Sequence, residues 1–525
     1  MSENKNERDE GGIFDEPKMP KITAKTKRKS DLKRQLRLLF AVCAAAFCVT
    51  LSYFFIIKPL TENEVEDNSE EITLLEGESI GPQNRIFIME YLTRDNIASV
   101  TVHNSYGEYG VSYNEDTDAF EVTDDPNAVY DREKLQSLLS AAGYTLAIER
   151  ITDNADNLAE YGLSDLDSPA WYTITDRSGN SHKLYIGDII PSNAGYYVRY
   201  DGRNAVYVLD SSIAETLLSP IEAIISPILT FPVPQNAYQT ITNFAIINRD
   251  ELVVMLEYIT DGEMLSDGSK LIHKFLYPEQ YYPNETNYLD AFSKFCDFSG
   301  TSALVYKPDS EDMKKYGLDD PEFDLYFEYS SVPNNLIFSE KNENGNRYAY
   351  SPLFNVITEI EADKTDFLEW GLIDWIERPI FRMNIASVRE IKLESKKENY
   401  DFELLYDGDN LIAVNEKQSG RSIADIDNFR KFYQTILMTN IQDYAELDSE
   451  SIDKLTDSEA YLTLTVVMEN TDVKIMKFYP YETRKSYFTS DGKGDFYVLR
   501  DRMIKIIDDA EKALNGIAIS PDANN

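Results

Sequence analysis

The chain has 525 residues, of which 42% are apolar and 27% charged, and its formal charge at pH 7 is −41. So acidic a chain repels a polyanion, which argues against nucleic acid as a partner. Cys43 and Cys48 share one apolar segment and Cys296 stands alone beyond it, so the remainder cannot be stapled by an intrachain disulfide and must fold around ordinary cores.

Residues 1–37 are polar and basic with no apolar period, the pattern of a disordered tail. Leu38–Ile57 then runs without a single charge. At 1.5 Å per residue it makes ~30 Å of helix, enough to cross a bilayer core. Lys27, Arg28, Lys29, Lys33, Arg34 and Arg37 precede it, and Glu62, Glu64, Glu66 and Asp67 follow. That asymmetry predicts a cytoplasmic N-terminus and an extracellular remainder. Ser52-Tyr53-Phe54-Phe55 makes a poor cleavage site, so the segment is expected to stay as a signal anchor with the lipid bilayer as its partner. The basic flank is explained by topology and anionic lipid without invoking nucleic acid.

Residues 58–90 are strongly acidic and suggest a stalk. Beyond them one design of ~145 residues is written three times, over 91–232, 233–379 and 380–516, with a tail of 517–525 expected to be disordered. Asn96-Ile97-Ala98-Ser99-Val100 recurs as Asn384-Ile385-Ala386-Ser387-Val388, and Ile241 lies midway between Ile97 and Ile385. Tyr161-Gly162-Leu163 returns as Tyr316-Gly317-Leu318, at a longer offset that implies an insertion in the middle copy.

Each copy opens on alternating strands, clearest at Val388–Leu393, Tyr400–Tyr406 and Leu411–Val414, where Asp407-Gly408 signals a hairpin. A helix follows. Its apolar stripe is Leu135, Leu138, Leu139 and Ala142 in the first copy, closed by Gly143. In the second the stripe is Leu289, Phe292, Phe295 and Cys296, and in the third Phe429, Phe432, Tyr433, Ile436 and Leu437. After a short strand comes a second meander: Trp171–Thr175 pairs with Lys183–Ile186 across Arg177-Ser178-Gly179-Asn180, and Tyr196–Tyr200 with Ala205–Leu209 across Asp201-Gly202. The predicted fold class is therefore α+β: one N-terminal transmembrane helix, then three tandem repeats of antiparallel meander plus helix.

Tyr161-Gly162-Leu163, Tyr185-Ile186-Gly187-Asp188, Gly195-Tyr196-Tyr197-Val198-Arg199 and Val206-Tyr207-Val208-Leu209 form a pattern that resembles the bacterial family called domain of unknown function 4340. The second copy departs after Asp319-Asp320-Pro321, and the third has Lys454-Leu455-Thr456 in place of the first motif. The resemblance implies an exterior domain of a membrane-anchored protein, with permease and ATPase subunits of an ABC-type transporter as the partner class. It supplies no catalytic residue.

Chemistry is sparse in the sequence. His103, His182 and His273 have no second His or Cys at ligand spacing. No Gly-x-Ser-x-Gly elbow and no phosphate-binding glycine loop is present. The acidic runs beginning at Asp153, Asp165 and Asp309 lack the spacing of a calcium loop and suit helix caps and solvated faces. No cofactor, metal or catalytic residue is assigned. The expected role is a non-enzymatic, membrane-anchored extracytoplasmic accessory or binding protein of a transporter or cell-envelope complex. A surface-displayed hydrolase of envelope glycan or peptide is the alternative, and a passive stalk the third reading. Aromatic and arginine anchors dominate protein interfaces, so Tyr196, Tyr197 and Arg199 are the candidate partner-binding residues.

Overall fold

A computed structural model of the protein describes residues 72–165 and 169–522. The anchor expected over 38–57 lies outside these residues, and among them no helix is long and apolar enough to cross a membrane. The described chain is mixed α+β, with wholly antiparallel sheets.

Three large sheets follow one another and share one order of eight strands, to which the third adds the short edge strand Arg421–Ser422. The first strand of each (Ile97–Asn104, Ile241–Asn248, Val388–Ser395) lies inside its sheet. On one side it pairs with its hairpin partner (Gly107–Asn114, Glu251–Tyr258, Asn399–Asp407). On the other it pairs with the opening strand of the second meander (Ala170–Asp176, Phe323–Tyr329, Leu462–Met468). Between these comes a helix, Arg132–Gly143, Glu285–Phe295 or Ile426–Leu437. The strand after the helix (Ala147–Thr152, Ala303–Tyr306, Ile441–Tyr444) crosses to the far edge and pairs with the last strand of the meander. We call each sheet with its helices a module.

The helices form where capping and periodicity coincide. Asp131 caps the first by accepting from the Glu133 and Lys134 amides, Asn284 the second and Asp425 the third. Leu135, Leu138, Leu139 and Ala142 are buried, as are Phe429, Phe432, Tyr433 and Ile436. The second stripe is displaced: Tyr288, Ala291, Phe292 and Phe295 are buried, whereas Leu289 is 38% exposed. Tyr288 starts an i, i+3, i+4, i+7 series to which Leu289 does not belong. Gly143 is the last helical residue rather than a left-handed cap. A Cβ there would stand 2.1 Å from the Leu92 carbonyl, so close approach, not handedness, selects glycine.

Two segments expected to be free are part of the fold. Within 58–90, the residues from Glu78 onward belong to the first module. The Glu78 carboxylate is buried between Arg150 (2.6 Å) and the Tyr207 hydroxyl (2.6 Å), and Ile88 and Met89 are buried. At the other end Ile519 is buried and its amide donates to Asn428 Oδ1 at 2.9 Å, so the expected tail is packed at least to that point.

The modules join by one repeated device. The chain entering each module pairs with the segment just beyond that module's helix. The Ile88 amide donates to Thr145 O (3.1 Å), Leu229 to Phe298 O (2.9 Å), and Ile380 to Thr439 O (2.9 Å). The insertion of the middle copy, residues 259–272, adds to the second junction through Ser266 N to Arg382 O and Asn384 N to Met264 O. Buried apolar residues of the second and third modules form one continuous core. Between the first two, Asp125 accepts from the Tyr306 hydroxyl (2.6 Å) and pairs with Lys307 (3.0 Å).

Two outcomes are expected. In the third module Asp509 is fully buried and binds Thr435 Oγ1 (2.8 Å) and Lys505 Nζ (3.0 Å), itself only 3% exposed. Asp509→Ala strands that ammonium, and chemical denaturation should show a loss of about 3–5 kcal/mol. At the first junction the Tyr306 hydroxyl, and then Lys307, hold the Asp125 carboxyl below its ordinary value. A depressed carboxyl stabilises above its unfolded pKa and loses that contribution as pH falls through the folded value. Hydrogen exchange around Ala303–Tyr306 should therefore accelerate below about pH 4, and Asp125→Asn should remove that dependence.

Candidate interaction face

In the first module the three candidate residues do not share a surface. Strand alternation in Gly195–Tyr200 puts Tyr197 and Arg199 on one face and Tyr196 on the other with Val198, which is fully buried. Tyr197 packs edge-on against Tyr161 at 5.0 Å. The same contact recurs in the second module between Tyr316 and Tyr348 at 4.9 Å, which marks it as a packing element of the repeat. Arg199 is 8% exposed, and its guanidinium donates to Asp165 at 2.9 Å and lies 4.3 Å from the centre of the Tyr185 ring.

That last contact leads to a larger feature. Cross-strand register aligns His103 with Trp171, Trp171 with Tyr185, and Tyr185 with Arg199 across four strands. Inward-facing Tyr172 and Ile174 are fully buried, so by alternation this row lies on the opposite face of the sheet. The His103 imidazole stacks on Trp171 at 5.3 Å and 12°. Lys183 Nζ lies 3.8 Å from the centre of the indole and 5.1 Å from that of Tyr185. The result is a stripe in which cations and rings alternate, each ammonium or guanidinium facing the negative face of a π system.

The stripe is partly open to solvent. Trp171, Lys183 and Tyr185 are half-buried, and the side chain of His103 is 43% exposed. Burial, and then the nearby Asp201 carboxylate, push the Tyr185 hydroxyl above its ordinary pKa, so it stays a neutral donor, 3.4 Å from Asp201. Such a surface offers flat apolar area, the Lys183 ammonium and a hydroxyl, with the Arg199 guanidinium buried beneath it against Asp165. The signal was present in the sequence. Once the turn at Arg177–Asn180 is placed, Trp171 and Tyr185 must face each other, and His103 completes the row only through a pairing distant in sequence.

The remaining candidates have local roles. Asp309 caps Ser310–Lys315 with a capping box, and Asn157 caps Leu158–Tyr161, while Asp153 pairs with Arg150 at 2.7 Å. His273 is buried, its Nδ1 2.6 Å from Glu285, and His182 meets the Tyr200 hydroxyl at 2.9 Å. Cys296 is buried in the core, and burial raises its thiol pKa. Among the described residues no group of three or more His, Cys, Asp or Glu is placed to hold a metal ion.

Residues 121–299 and 296–462 each match the model of a family described as Domain of unknown function (DUF4340). No curated protein and no solved structure matches the chain. Each family match runs across a junction between modules, so the entering segment belongs to the repeated unit. The glycines of the first motif pair have a geometric cause. Gly162 is left-handed (φ 65°) and ends the turn Leu158–Tyr161, and a Cβ on Gly187 would lie 2.2 Å from the Tyr161 carbonyl. Gly187→Ala should force these backbones apart and lower stability by about 1–3 kcal/mol in denaturant titration.

Proposed function

We infer that this chain, which belongs to the DUF4340 family, is a non-enzymatic accessory protein that holds a protein partner outside the cell membrane. In this reading Leu38–Ile57 anchors it as a single span, residues 1–37 stay in the cytoplasm and the modules stand outside, the arrangement that the flanking charges support. The partner class is a membrane complex of permease and ATPase subunits of the ABC type. The observation that supports an adaptor role is the His103–Trp171–Tyr185–Arg199 stripe. It combines the residue types that concentrate binding energy at protein interfaces, held rigid by mutual stacking.

Chemical crosslinking in intact membranes followed by affinity purification tests the reading. The wild-type chain should recover an ATPase and a multispan permease. Trp171→Ser combined with Lys183→Glu should reduce that recovery at least about tenfold, as loss of one or two interface anchors would, while circular dichroism shows an unchanged fold. Full recovery by the folded double variant rejects the face. Absence of both subunits from the wild-type eluate rejects the transporter assignment, and protection of the modules from protease added outside the cell rejects the topology.

A further inference from the structure

The third module closes on the helix Arg500–Asn515, which buries Met503, Ile506, Ala510 and Ala513. A neighbouring face of that helix stays partly open: Ile504 is 45% exposed and Ile507 half-buried. With Met503 they floor a cavity of about 190 Å³ between the helix and the turn residues Ser395, Lys396 and Lys397. Half-buried Tyr461 completes the wall.

The charged side chains lining the cavity are Lys396, Lys397, Arg500 and Asp508. Lys397 is spent on acids, with its Nζ 3.3 Å from Asp508 and 3.0 Å from Glu511. Lys396 and Arg500 have no carboxylate partner among the described residues. Both face the Tyr461 ring, the Lys396 Nζ 5.8 Å and the Arg500 guanidinium carbon 4.7 Å from its centre, so they share one end of the cavity. Glu459 tempers the Lys396 charge from outside the lining, its Oε2 held by the Thr456 amide (2.8 Å) and hydroxyl (3.0 Å). Asp508 lies about 12 Å along the helix from Arg500. The order is therefore two cations, an apolar floor, then a neutralised pair.

A cationic ligand is repelled at the first end. A neutral apolar one gains nothing there, and a small inorganic anion gains nothing from the floor. A molecule with one anionic head and one aliphatic chain uses both. The peptide alternative would bring amides onto a lining with few partners for them, since Ser395 Oγ already donates to Glu398 O at 2.6 Å and accepts from the Lys397 and Glu398 amides. We propose that this cavity binds a single-chain anionic amphiphile, its carboxylate or phosphate between Lys396 and Arg500 and its chain over Ile504 and Ile507. The volume, below the roughly 300–1,000 Å³ of drug-sized pockets, suits one chain. The site rests on neither the transporter assignment nor the first-module face, so each can fail without the other.

The test uses the full chain in nanodiscs of zwitterionic phospholipid, with diazirine-bearing dodecyl probes that differ in the head: carboxylate, phosphate, alcohol or trimethylammonium. After irradiation, mass spectrometry reads labelling of the segment 500–508, normalised to labelling of the lipid. At least one anionic probe should label it about tenfold more than the alcohol and trimethylammonium probes, the worth of one charge-assisted hydrogen bond. Labelling by the carboxylate probe alone assigns a free fatty acid, and by the phosphate probe alone a single-chain phospholipid. Lys396→Glu combined with Arg500→Gln, and separately Ile504→Asp at its exposed position, should each cut the labelling about tenfold, with circular dichroism unchanged. Ile504→Asp decides the matter if the double variant does not fold. The proposal is overturned if neither anionic probe labels the segment, if the alcohol labels it equally, or if folded variants label as the wild type does. Displacement of the probe by an apolar tetrapeptide with a free carboxylate, and not by dodecanoate, also overturns it in favour of a peptide tail.

Discussion

Each module depends on a short stretch of main chain supplied from before it. The post-helix segments at Thr145, Phe298 and Thr439 are buried, and a buried carbonyl must find a donor. Ile88, Leu229 and Ile380 provide it, each from the segment that enters the module. The crossing strand begins two to five residues after these positions and runs to the far edge of the sheet, so the entering segment fixes where the helix ends and the crossing starts. A module cut free of its lead would expose these groups. This is why residues around Ile86–Leu92, acidic surroundings notwithstanding, fold onto the first module, and why the family matches straddle the junctions.

What the sequence made legible was local. The turns expected at Asp201-Gly202 and Asp407-Gly408 fall at Gly202 and Gly408, which adopt positive φ there, a preference carried by the glycines themselves, although Asp407 ends its strand. The first and third helix stripes were readable because capping and apolar period agree within a dozen residues. The pairing of the short strand after the helix was not readable, because its partners Val206–Asp210, Val356–Ile360 and Lys493–Leu499 lie some fifty residues or more away and no turn chemistry announces it. Leu289 was misassigned for a related reason: within Tyr288-Leu289 either residue begins an acceptable stripe, and only the position of the sheet decides.

The candidate site divided along the same line. Tyr196 and Tyr197 are adjacent positions of one strand, so the three could not all occupy one face, a consequence of pleating that applies to any strand. The row that does share a face takes one residue from each of four strands. Register is what assembles it, and register is a property of the sheet. Tyr197 turned out to be a repeated packing contact, with Tyr348 in its place in the second module, whereas Trp171 and Lys183 have no such structural counterpart among the described ring contacts of that module.

The acidity of the chain gives the stripe its significance. Aspartates cap helix after helix, at Asp131, Asp210, Asp309, Asp425 and Asp448, where they satisfy free amides and oppose the positive end of the helix. Others solvate the surface and repel further copies of the chain. Against that background most cations are consumed by carboxylates: Lys294 by Asp290 and Asp366, Arg347 by Glu322 and Glu369, and Lys397 by Asp508 and Glu511. Lys183 is different, since its ammonium rests between two aromatic rings instead of on an acid. An ammonium balanced by π faces keeps more of its field available to an approaching group than one neutralised at contact distance. Around Lys183 the field is therefore less cancelled at short range than around the carboxylate-bound cations, while at longer range the chain's charge of −41 dominates until salt screens it.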